Sequence, residues 1–452
     1  MLKGMSVAAT TLGCKVNQAE TDSMLDMLKA AGANIVEFDE KADIYIVNTC
    51  SVTNIADKKS RQMLHRARKM NPDGIVIAAG CYVQSAREIL EQDEAIDIVI
   101  SNNKKKSITE IVNDYINVRN NGKNAPGKDH EAMEYFVDIS RETEYEEMGG
   151  HVPVGHTRAY VKIQDGCNQF CSYCIIPYVR GRIRSRSQEA ILAEVSELAE
   201  AGIKEVVLTG IHISSYGKDK NNEGALIELI EAISKIKGIK RIRLGSLEPG
   251  IITEEFVERI SSNSKVCPHF HLSLQSGCDS VLKRMNRKYT CKQYFEKCDI
   301  LRKAYKSPAL TTDVIVGFPG ETEEEFAETV RYLTELNLYE MHIFKYSPRK
   351  GTVAAAMKEQ VAPEIKNERS DVLLKLAHDN KTAYEAQFEG CELEVLVEEV
   401  VKKNNKTYLR GHTERYMDIL IDVGDISMPE SFVNSFVYVT YTQNGGNLPL
   451  LL

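Results

Sequence analysis

Three cysteines on one short loop are the most restrictive feature of this 452-residue sequence. Cys167, Cys171 and Cys174, the loop cysteines, lie within residues 166–174, directly after a strand-like run at 157–164. Three thiolates can bind three irons of a 4Fe–4S cluster, which normally takes four cysteine ligands. The fourth iron then keeps an open coordination position, as a catalytic metal requires. The spacing therefore predicts an iron–sulfur cluster with one iron free to bind a further ligand.

Two other interpretations of this loop are a small zinc site and a chance spacing. A zinc site would need a fourth cysteine or histidine nearby, and the next histidine after Cys174 is His212. A chance spacing would rarely place an aromatic residue such as Tyr173 between the last two cysteines. The pattern favours the iron–sulfur cluster over both alternatives.

The length and the charge of the chain restrict its class. A chain of 452 residues should contain two or three domains, because single hydrophobic cores rarely exceed about 250–300 residues. The net charge of −8 excludes a uniformly basic nucleic-acid binder. Any contact with RNA must therefore come from local patches.

We find no segment typical of targeting or of a membrane span. The first residues lack the apolar core of a signal peptide, and no run approaches the roughly 18 apolar residues of a spanning helix. We therefore expect a cytoplasmic protein that does not contact a membrane. The 11 cysteines do not suggest a disulfide framework, and in a reducing compartment they indicate metal binding or catalysis.

A second group of three cysteines lies in the first 118 residues. Each of three β-type runs ends on a cysteine, and helical patterns separate the runs, which span 7–14, 43–50 and 74–81. Such alternation predicts a doubly wound parallel sheet, whose strands share one carboxyl edge. Cys14, Cys50 and Cys81, the amino-terminal cysteines, should therefore converge. A free cysteine is often a small buried apolar residue, but three at equivalent strand ends favour a second cluster with one open iron.

From residue 157 the sequence alternates strand-like and helix-like segments six times. Repeated β-α units predict a partial parallel (β/α)6 barrel, with its catalytic groups at the carboxyl ends of the strands. The loop cysteines follow the first strand and should lie at this mouth. Gly210, Glu248, Gln275 and Gly317 fall at or just beyond other strand ends, where we expect them to contact a cofactor. The alternative is that these four residues only form turns.

Basic residues occur in two places with two interpretations each. Arg180, Arg182, Arg184 and Arg186 follow the loop cysteines at alternate positions. They are either a solvated stripe or, as we favour, a site that recognises an anion, because the guanidinium fork suits carboxylate and phosphate. The basic segment at 58–69 is either a solvated face or a contact for RNA phosphates.

The last part of the chain changes to short strands. Four runs without long helices, at 392–401, 407–411, 418–423 and 436–442, predict a small antiparallel β-barrel.

Residues 119–155 are rich in turn formers and charge and indicate a linker, with a possible strand at 135–139. The predicted domains are residues 1–118, 156–386 and 387–452, with the linker at 119–155.

Several motifs resemble those of the radical S-adenosylmethionine (SAM) methylthiotransferase family, and the resemblance extends nearly end to end. The segment at 166–174 resembles the cluster signature of radical SAM enzymes. Residues 11–18, 48–54 and 79–81 resemble the three amino-terminal cluster motifs of this family. The resemblance implies two 4Fe–4S clusters, one on each group of three cysteines, together with SAM.

The resemblance also implies roles for the candidate residues. The cluster on the loop cysteines would reduce SAM to a 5′-deoxyadenosyl radical, and the cluster on the amino-terminal cysteines would present sulfur through its open iron. A second SAM would supply the methyl group. Tyr173 and Gly317 would lie beside the adenine of SAM. From the strand-end positions and the arginine series, we also expect Gly210, Glu248, Gln275 and Arg180 to contact other parts of the cofactor.

The first motif indicates a branch of the family. Residues 13–17 read Gly-Cys-Lys-Val-Asn and resemble the branch that acts on N6-threonylcarbamoyladenosine. The isopentenyladenosine branch more usually reads Gly-Cys-Gln-Met-Asn, and the ribosomal-protein branch Gly-Cys-Pro-Lys-Asn. The implied reaction is transfer of a methylthio group to C2 of N6-threonylcarbamoyladenosine next to the anticodon of tRNA. The implied partners are the tRNA anticodon stem-loop and an electron-donor protein, and the C-terminal barrel would be an RNA-binding TRAM domain.

Two alternatives stay open at this point. One keeps the chemistry and changes the substrate to isopentenyladenosine in tRNA or to an aspartate of a ribosomal protein. The other belongs to a different class of protein, a non-catalytic metal-binding RNA module.

Overall fold

The computed structural model describes residues 2–120, 135–149, 157–404, 406–424, 428–443 and 445–447. Three groups of strands form its framework: an N-terminal parallel sheet, a central set of parallel strands and a C-terminal closed barrel. This architecture confirms the predicted fold class. None of the described helices combines the length and the apolar character of a membrane span.

Five parallel strands and five helices form the N-terminal part. In chain order they are β1 (Ser6–Thr11), α1 (Lys15–Ala30), β2 (Asn34–Ile35), β3 (Ile44–Thr49), α2 (Asn54–Met70), β4 (Ile75–Gly80), α3 (Cys81–Ser85), α4 (Arg87–Glu91), β5 (Ile98–Ile100) and α5 (Ile108–Asn120). The strands lie in the order β2-β1-β3-β4-β5. Apolar clusters cover both faces, around Leu28 of α1 and Leu64 of α2. Strands β3 and β4 are therefore wholly buried, as in other parallel sheets.

Six parallel strands with intervening helices form the central part. The elements are β6 (Arg158–Asp165), α6 (Ile176–Arg180), β7 (Arg184–Ser185), α7 (Gln188–Glu200), β8 (Glu205–Gly210), α8 (Ala225–Ser234), β9 (Arg241–Leu244), α9 (Glu254–Ser261), β10 (His269–His271), α10 (Asp279–Arg284), α11 (Cys291–Ala304), β11 (Ala309–Val316), α12 (Glu323–Leu336), β12 (Glu340–Lys345) and α13 (Pro363–Ala386). The parallel strands β6, β8 and β9 form one sheet and β10, β11 and β12 another. Single bridges such as Leu247–Leu272 join the two sheets. The result is the predicted partial barrel, with the short β7 added antiparallel to β6.

Local sequence signals explain where two of these helices begin. At the start of α11, the Thr290 side chain accepts the Gln293 backbone N–H, and the Gln293 side chain accepts the Thr290 N–H. Thr322 and Glu325 form the same reciprocal pair at the start of α12. These bonds satisfy N–H groups that have no partner within the helix, so they define each first turn.

The C-terminal part is a closed barrel of five strands. They are β13 (Glu392–Lys403), β14 (Lys406–Thr413), β15 (Asp418–Asp422), β16 (Phe436–Thr442) and β17 (Gly445–Asn447), in the spatial order β13-β14-β15-β17-β16. Four strands correspond to the predicted runs. The fifth, β17, was not predicted, and it pairs parallel with β15 to close the barrel.

The segment predicted as a linker is only partly described. Residues 121–134 and 150–156 lie outside the described residues. The possible strand at 135–139 does not form; Tyr135 is instead buried in the core of the N-terminal sheet. The predicted domain limits at 118, 156 and 386 stay predictions, with α5 ending at Asn120 and α13 at Ala386.

Two arginines of β9 hydrogen-bond to backbone carbonyl groups of the C-terminal barrel. Arg241 donates to the carbonyl oxygen of Glu394 at 3.0 Å, and Arg243 donates to that of Glu414 at 2.9 Å. Arg243 also pairs with the fully buried carboxylate of Glu205 at 2.8 Å. A buried ion pair thus lies where the two parts meet.

Replacing Glu205 with glutamine should lower the free energy of unfolding by about 3–5 kcal/mol, because Arg243 would remain buried without its charged partner. Urea unfolding at pH 7 measures this change. Glu197→Gln is the matched control, since Glu197 is exposed on α7, and it should change the value by no more than about 0.5 kcal/mol. Equal stability of the two variants would contradict the prediction.

Candidate active site

The loop cysteines lie at the carboxyl end of β6 and begin after a glycine that no other residue can replace. Gly166 has a φ of 72°, and a Cβ at this position would lie 1.8 Å from the carbonyl oxygen of Arg182. Only glycine combines this backbone conformation with so close a contact. The backbone then turns from the strand so that Cys167 donates its N–H to the carbonyl oxygen of Gly181 at 3.0 Å.

Residues 284–286, at the end of α10 and just after it, hydrogen-bond to the segment that carries the loop cysteines. Ser172 donates its N–H to the carbonyl oxygen of Met285 at 3.0 Å and its hydroxyl to the carbonyl oxygen of Arg284 at 2.8 Å. Asn286 donates its side-chain amide to the carbonyl oxygen of Phe170 at 3.0 Å. These bonds cross more than 110 residues of sequence, so the loop has its conformation only in the folded barrel.

The chemistry of the loop cysteines fits a metal cluster. Burial and the neighbouring thiols raise the pKa of Cys167 to about 11 and that of Cys174 to about 12. Three thiolates at this site therefore need positive charge beside them, which the irons of a cluster supply. Protein donors also point at the sulfurs: the Gln169 N–H lies 3.4 Å from Cys167 Sγ, and Arg287 donates to Cys171 Sγ at 3.2 Å.

Arg287 is a site residue that the sequence reasoning missed. Its guanidinium donates to Cys171 and, at 2.6 Å, to Glu248. Burial alone would raise the pKa of Glu248, but a hydrogen bond to His212 and the charge of Arg287 hold it below its usual value. Glu248 is therefore a carboxylate that positions Arg287 on the cluster loop. No spacing pattern could have revealed this, since 116 residues separate Arg287 from Cys171.

The other residues that we predicted to contact the cofactor lie in two places, one beside the loop cysteines and one at a cavity near Cys14. Tyr173 packs edge-on against Phe318, next to Gly317, with the ring centroids 6.5 Å apart. Gln275 is buried with a φ of 77° and bridges to β11, which ends one residue before Gly317. These residues line the same end of the barrel as the loop cysteines. Gly210, at the end of β8, instead faces a cavity that Cys14 also lines.

The amino-terminal cysteines come together as the sheet edge predicts. Cys14, Cys50 and Cys81 follow β1, β3 and β4, which are neighbours in the sheet. Gly13 must be glycine, because its φ is 103° and a Cβ there would lie 2.8 Å from Cys50 Sγ. Burial raises the pKa of Cys14, and it raises that of Cys50 to about 11, with further increases from neighbouring thiols. This donor set also fits a cluster.

Arg180 joins the two cysteine groups. It lies six residues after Cys174, and its Nε donates to Cys81 Sγ at 3.2 Å. Its guanidinium is fully buried and also hydrogen-bonds to Asn17 and Glu20. We predicted that Arg180 would contact the cofactor, but its donors are directed at these protein groups on the side of the amino-terminal cysteines.

A buried ion network surrounds Arg180. Lys162 contacts Glu20 at 2.7 Å and Asp165 at 2.6 Å, and Lys105 pairs with Glu20. Arg184 also lies 3.8 Å from Asp165, so four cations share two carboxylates. Burial alone would raise the pKa of Glu20, but Arg180, Lys105 and Lys162 hold it well below its usual value. The positive charge of Arg180 in this network lies next to Cys81.

The other three arginines of the series differ in their contacts. Arg184 is buried and donates to the carbonyl oxygens of Arg180 and Arg182. Arg186 is buried and pairs with Glu194. Only Arg182 is exposed, and its guanidinium stacks on the ring of Phe170 at 4.5 Å. The alternative of a solvated stripe therefore does not hold, and of these four arginines only Arg182 is exposed to meet an external anion.

A cavity of about 490 Å³ lies inside the partial barrel and touches all three parts of the chain. Cys14 and Lys15 line it from the N-terminal sheet, and Tyr416 lines it from the C-terminal barrel. The sequence reasoning also missed a polar group on its wall. One potential ligand atom from each member of this group lies within 4.8 Å of the others: His271, Asp313 and His342. They lie on adjacent strands β10, β11 and β12, which only the strand register brings side by side.

Comparisons with known proteins agree with this arrangement. Residues 161–333 match the Radical SAM superfamily, and residues 6–101 match the Uncharacterized protein family UPF0004. "Threonylcarbamoyladenosine tRNA methylthiotransferase MtaB" of Bacillus subtilis is 39% identical over 92% of this chain and 90% of its own length. The protein of that name from Aquifex aeolicus is 37% identical over 92% and 98%. "tRNA-2-methylthio-N(6)-dimethylallyladenosine synthase" of Thermoanaerobacter pseudethanolicus is 35% identical over 96% and 90%.

Among solved structures, the radical SAM methyltransferase TsrM from Kitasatospora setae has a similar fold. The TM-score is 0.53 at 15% identity, over 76% of this chain and 77% of that one. At this identity the likeness concerns the fold alone.

Replacing Glu20 with glutamine should destabilise the protein by about 3–5 kcal/mol at pH 7, because Lys105, Lys162 and Arg180 would lose the buried carboxylate that they share. The folded-state pKa of Glu20 is well below its usual value, so its contribution is present above about pH 4.3, the pKa of an unfolded glutamate, and is lost at lower pH. Urea unfolding should show the gap between wild type and variant narrowing from pH 7 to about pH 3. The exposed Glu37→Gln is the control, and a pH-independent gap would refute the assignment.

Proposed function

Because this chain belongs to the radical SAM methylthiotransferase family, we propose that it transfers a methylthio group to C2 of N6-threonylcarbamoyladenosine next to the anticodon of tRNA. The observation that carries this proposal is the convergence of two groups of three cysteines, which one short segment ending at Arg180 connects. A single cluster would account for SAM cleavage alone. The second group accounts for the sulfur.

Proteins of this family use 4Fe–4S clusters and SAM. In this chain the loop cysteines would hold one cluster and the amino-terminal cysteines the other, with SAM beside Tyr173, Gln275 and Gly317. When bound, these cofactors supply the radical, the sulfur and the methyl group, which acid–base side chains cannot supply at an unactivated carbon–hydrogen bond.

Two arginines of the chain would position the clusters and reduce their negative charge. Arg287, which Glu248 holds, donates to the sulfur of Cys171 and would lower the negative charge at the first cluster. Arg180 does the same for Cys81 at the second. Hydrogen bonds from buried cations to cluster sulfurs raise the reduction potential of such clusters. The two arginines would therefore set how easily each cluster accepts an electron.

The partners follow from the reaction. The substrate is tRNA, presented as its anticodon stem-loop, and a separate electron-donor protein reduces the first cluster. The cytoplasm is where such a substrate is found. Lys58, Lys59 and Arg61 are exposed on α2 and, with the C-terminal barrel, are candidates to contact RNA phosphates.

Anaerobic reconstitution with iron and sulfide should give about eight irons per chain, four for each cluster. Replacing the three amino-terminal cysteines with alanine should leave about four irons and keep SAM cleavage on reduction. Replacing the three loop cysteines should also leave about four irons but abolish cleavage. Iron analysis, visible absorption and detection of 5′-deoxyadenosine measure these outcomes.

The control variant for this experiment is Cys391→Ala, because Cys391 is exposed in the C-terminal part. It should keep all irons and full cleavage. A preparation that holds zinc and has no visible absorption band would instead support the non-catalytic metal-binding module.

Mass spectrometry of tRNA nucleosides from cells with and without the gene tests the substrate. We expect 2-methylthio-N6-threonylcarbamoyladenosine to disappear without the gene and the unmethylthiolated nucleoside to accumulate. Reintroducing the wild-type gene should restore the product, whereas a gene that lacks the loop cysteines should not. An unchanged pool of this nucleoside, together with loss of the methylthiolated isopentenyladenosine, would instead identify isopentenyladenosine in tRNA as the substrate.

A further inference from the structure

Lys15 lies on the wall of the central cavity and has no charged partner among the described residues. It is the first residue of α1, directly after Cys14, and its side chain is exposed toward the cavity. Its ammonium lies 5.9 Å from the ring centroid of Tyr160 and 5.8 Å from that of Tyr416. Across the described part of the chain, no carboxylate lies within salt-bridge distance of it.

Other charged groups around the cavity are already paired. Glu340 binds Lys381 at 3.0 Å, and Asp313 lies 3.4 Å from the ring of His271. Glu205 is held by Arg243 at 2.8 Å. Lys15 thus contributes positive charge that forms no ion pair with a carboxylate of the described residues.

A second polar group on the same wall lacks a partner. His269 is 7% exposed, and its Nδ1 is buried without a hydrogen bond to any described residue. It lines the same cavity as Lys15, and its ring lies 5.2 Å from that of Tyr416. Buried polar atoms in native proteins nearly always have a partner. A turn of the ring would bring this atom to the cavity, where a ligand would supply the partner.

An anion satisfies both groups. A carboxylate accepts hydrogen bonds from an ammonium and from a ring N–H at once, and bonds to charged groups are stronger than neutral ones. The proposed substrate has such a group, because the threonine part of its side chain carries a carboxylate that is ionised at neutral pH. The cavity opens beside Cys14, where the base must lie to receive sulfur.

We propose that Lys15 and His269 form the binding site for the carboxylate of the threonylcarbamoyl arm. This inference rests on the proposed function and adds the group by which the substrate is selected. A neutral arm would leave Lys15 unpaired. The site therefore selects the open form of the arm over a cyclised form, in which the carboxylate has been consumed.

Binding of three synthetic anticodon stem-loops tests this assignment. The RNAs differ only at the target adenosine, which carries the free carboxylate, its methyl ester or no modification. Wild-type protein should bind the carboxylate RNA at least about 10-fold more tightly than the ester, and Lys15→Met should remove this preference. Lys15→Arg, which keeps the charge, should retain part of it.

Lys29→Met is the matched control, because Lys29 is exposed in the last turn of the same helix. Since Lys15 follows Cys14, iron content and visible absorption are compared in every variant before binding is measured. His269→Phe should also reduce the preference for the carboxylate RNA.

The three RNAs and SAM distinguish the sources of the anion. Equal weakening of all three RNAs by Lys15→Met would indicate a phosphate contact and overturn the proposal. A changed affinity for SAM in the absence of RNA would indicate the SAM carboxylate and would also overturn it. The proposal would also be overturned if Lys15→Met kept the full preference for the carboxylate RNA over the ester.

Product formation separates this inference from the proposed function. Suppose that wild-type protein methylthiolates the carboxylate RNA and that Lys15→Met prefers this RNA over the ester as strongly as wild type does. The proposed function then stands and the inference fails. If a carboxylate preference depends on Lys15 but no RNA yields a methylthio product, the inference stands and the proposed function fails.

Discussion

The buried ion network around Glu20 determines how the N-terminal sheet sits on the partial barrel. Glu20 and Lys105 come from the N-terminal part, whereas Lys162, Asp165 and Arg180 come from the barrel. Charges removed from water are tolerated only when their partners are in place with good geometry. The two parts can therefore meet in one arrangement, because any shift would leave an unpaired charge in a dry interior.

This arrangement brings the two cysteine groups close to one another. Arg180 belongs to the short helix that follows the loop cysteines, yet its Nε contacts Cys81. Ile175 and Val179 pack against the same cysteine. The sequence separation between the groups is large, but the spatial link is one helix of five residues. The proposed reaction, with a radical generated at one group and sulfur held at the other, would require this proximity.

The C-terminal barrel contributes to the cavity as well as to any contact with RNA. Arg241 and Arg243 hold it against the central strands through backbone carbonyl groups. As a result, Tyr416 reaches the cavity wall and lies near Lys15 of the N-terminal sheet. The three parts therefore enclose one space, and the chemistry of that space depends on all of them.

The sequence alone determined both cysteine groups and the order of the three folds. It could do so because parallel strands share one carboxyl edge, so a cysteine at each strand end must lie at that edge. Tertiary structure alone decided the role of Arg180, the presence of Arg287 at Cys171, and the group of His271, Asp313 and His342. These contacts join side chains from distant elements, and neither periodicity nor spacing encodes them. Arg180 illustrates the difference: the alternate arginines favoured recognition of an external anion, but packing against the N-terminal sheet buries this one.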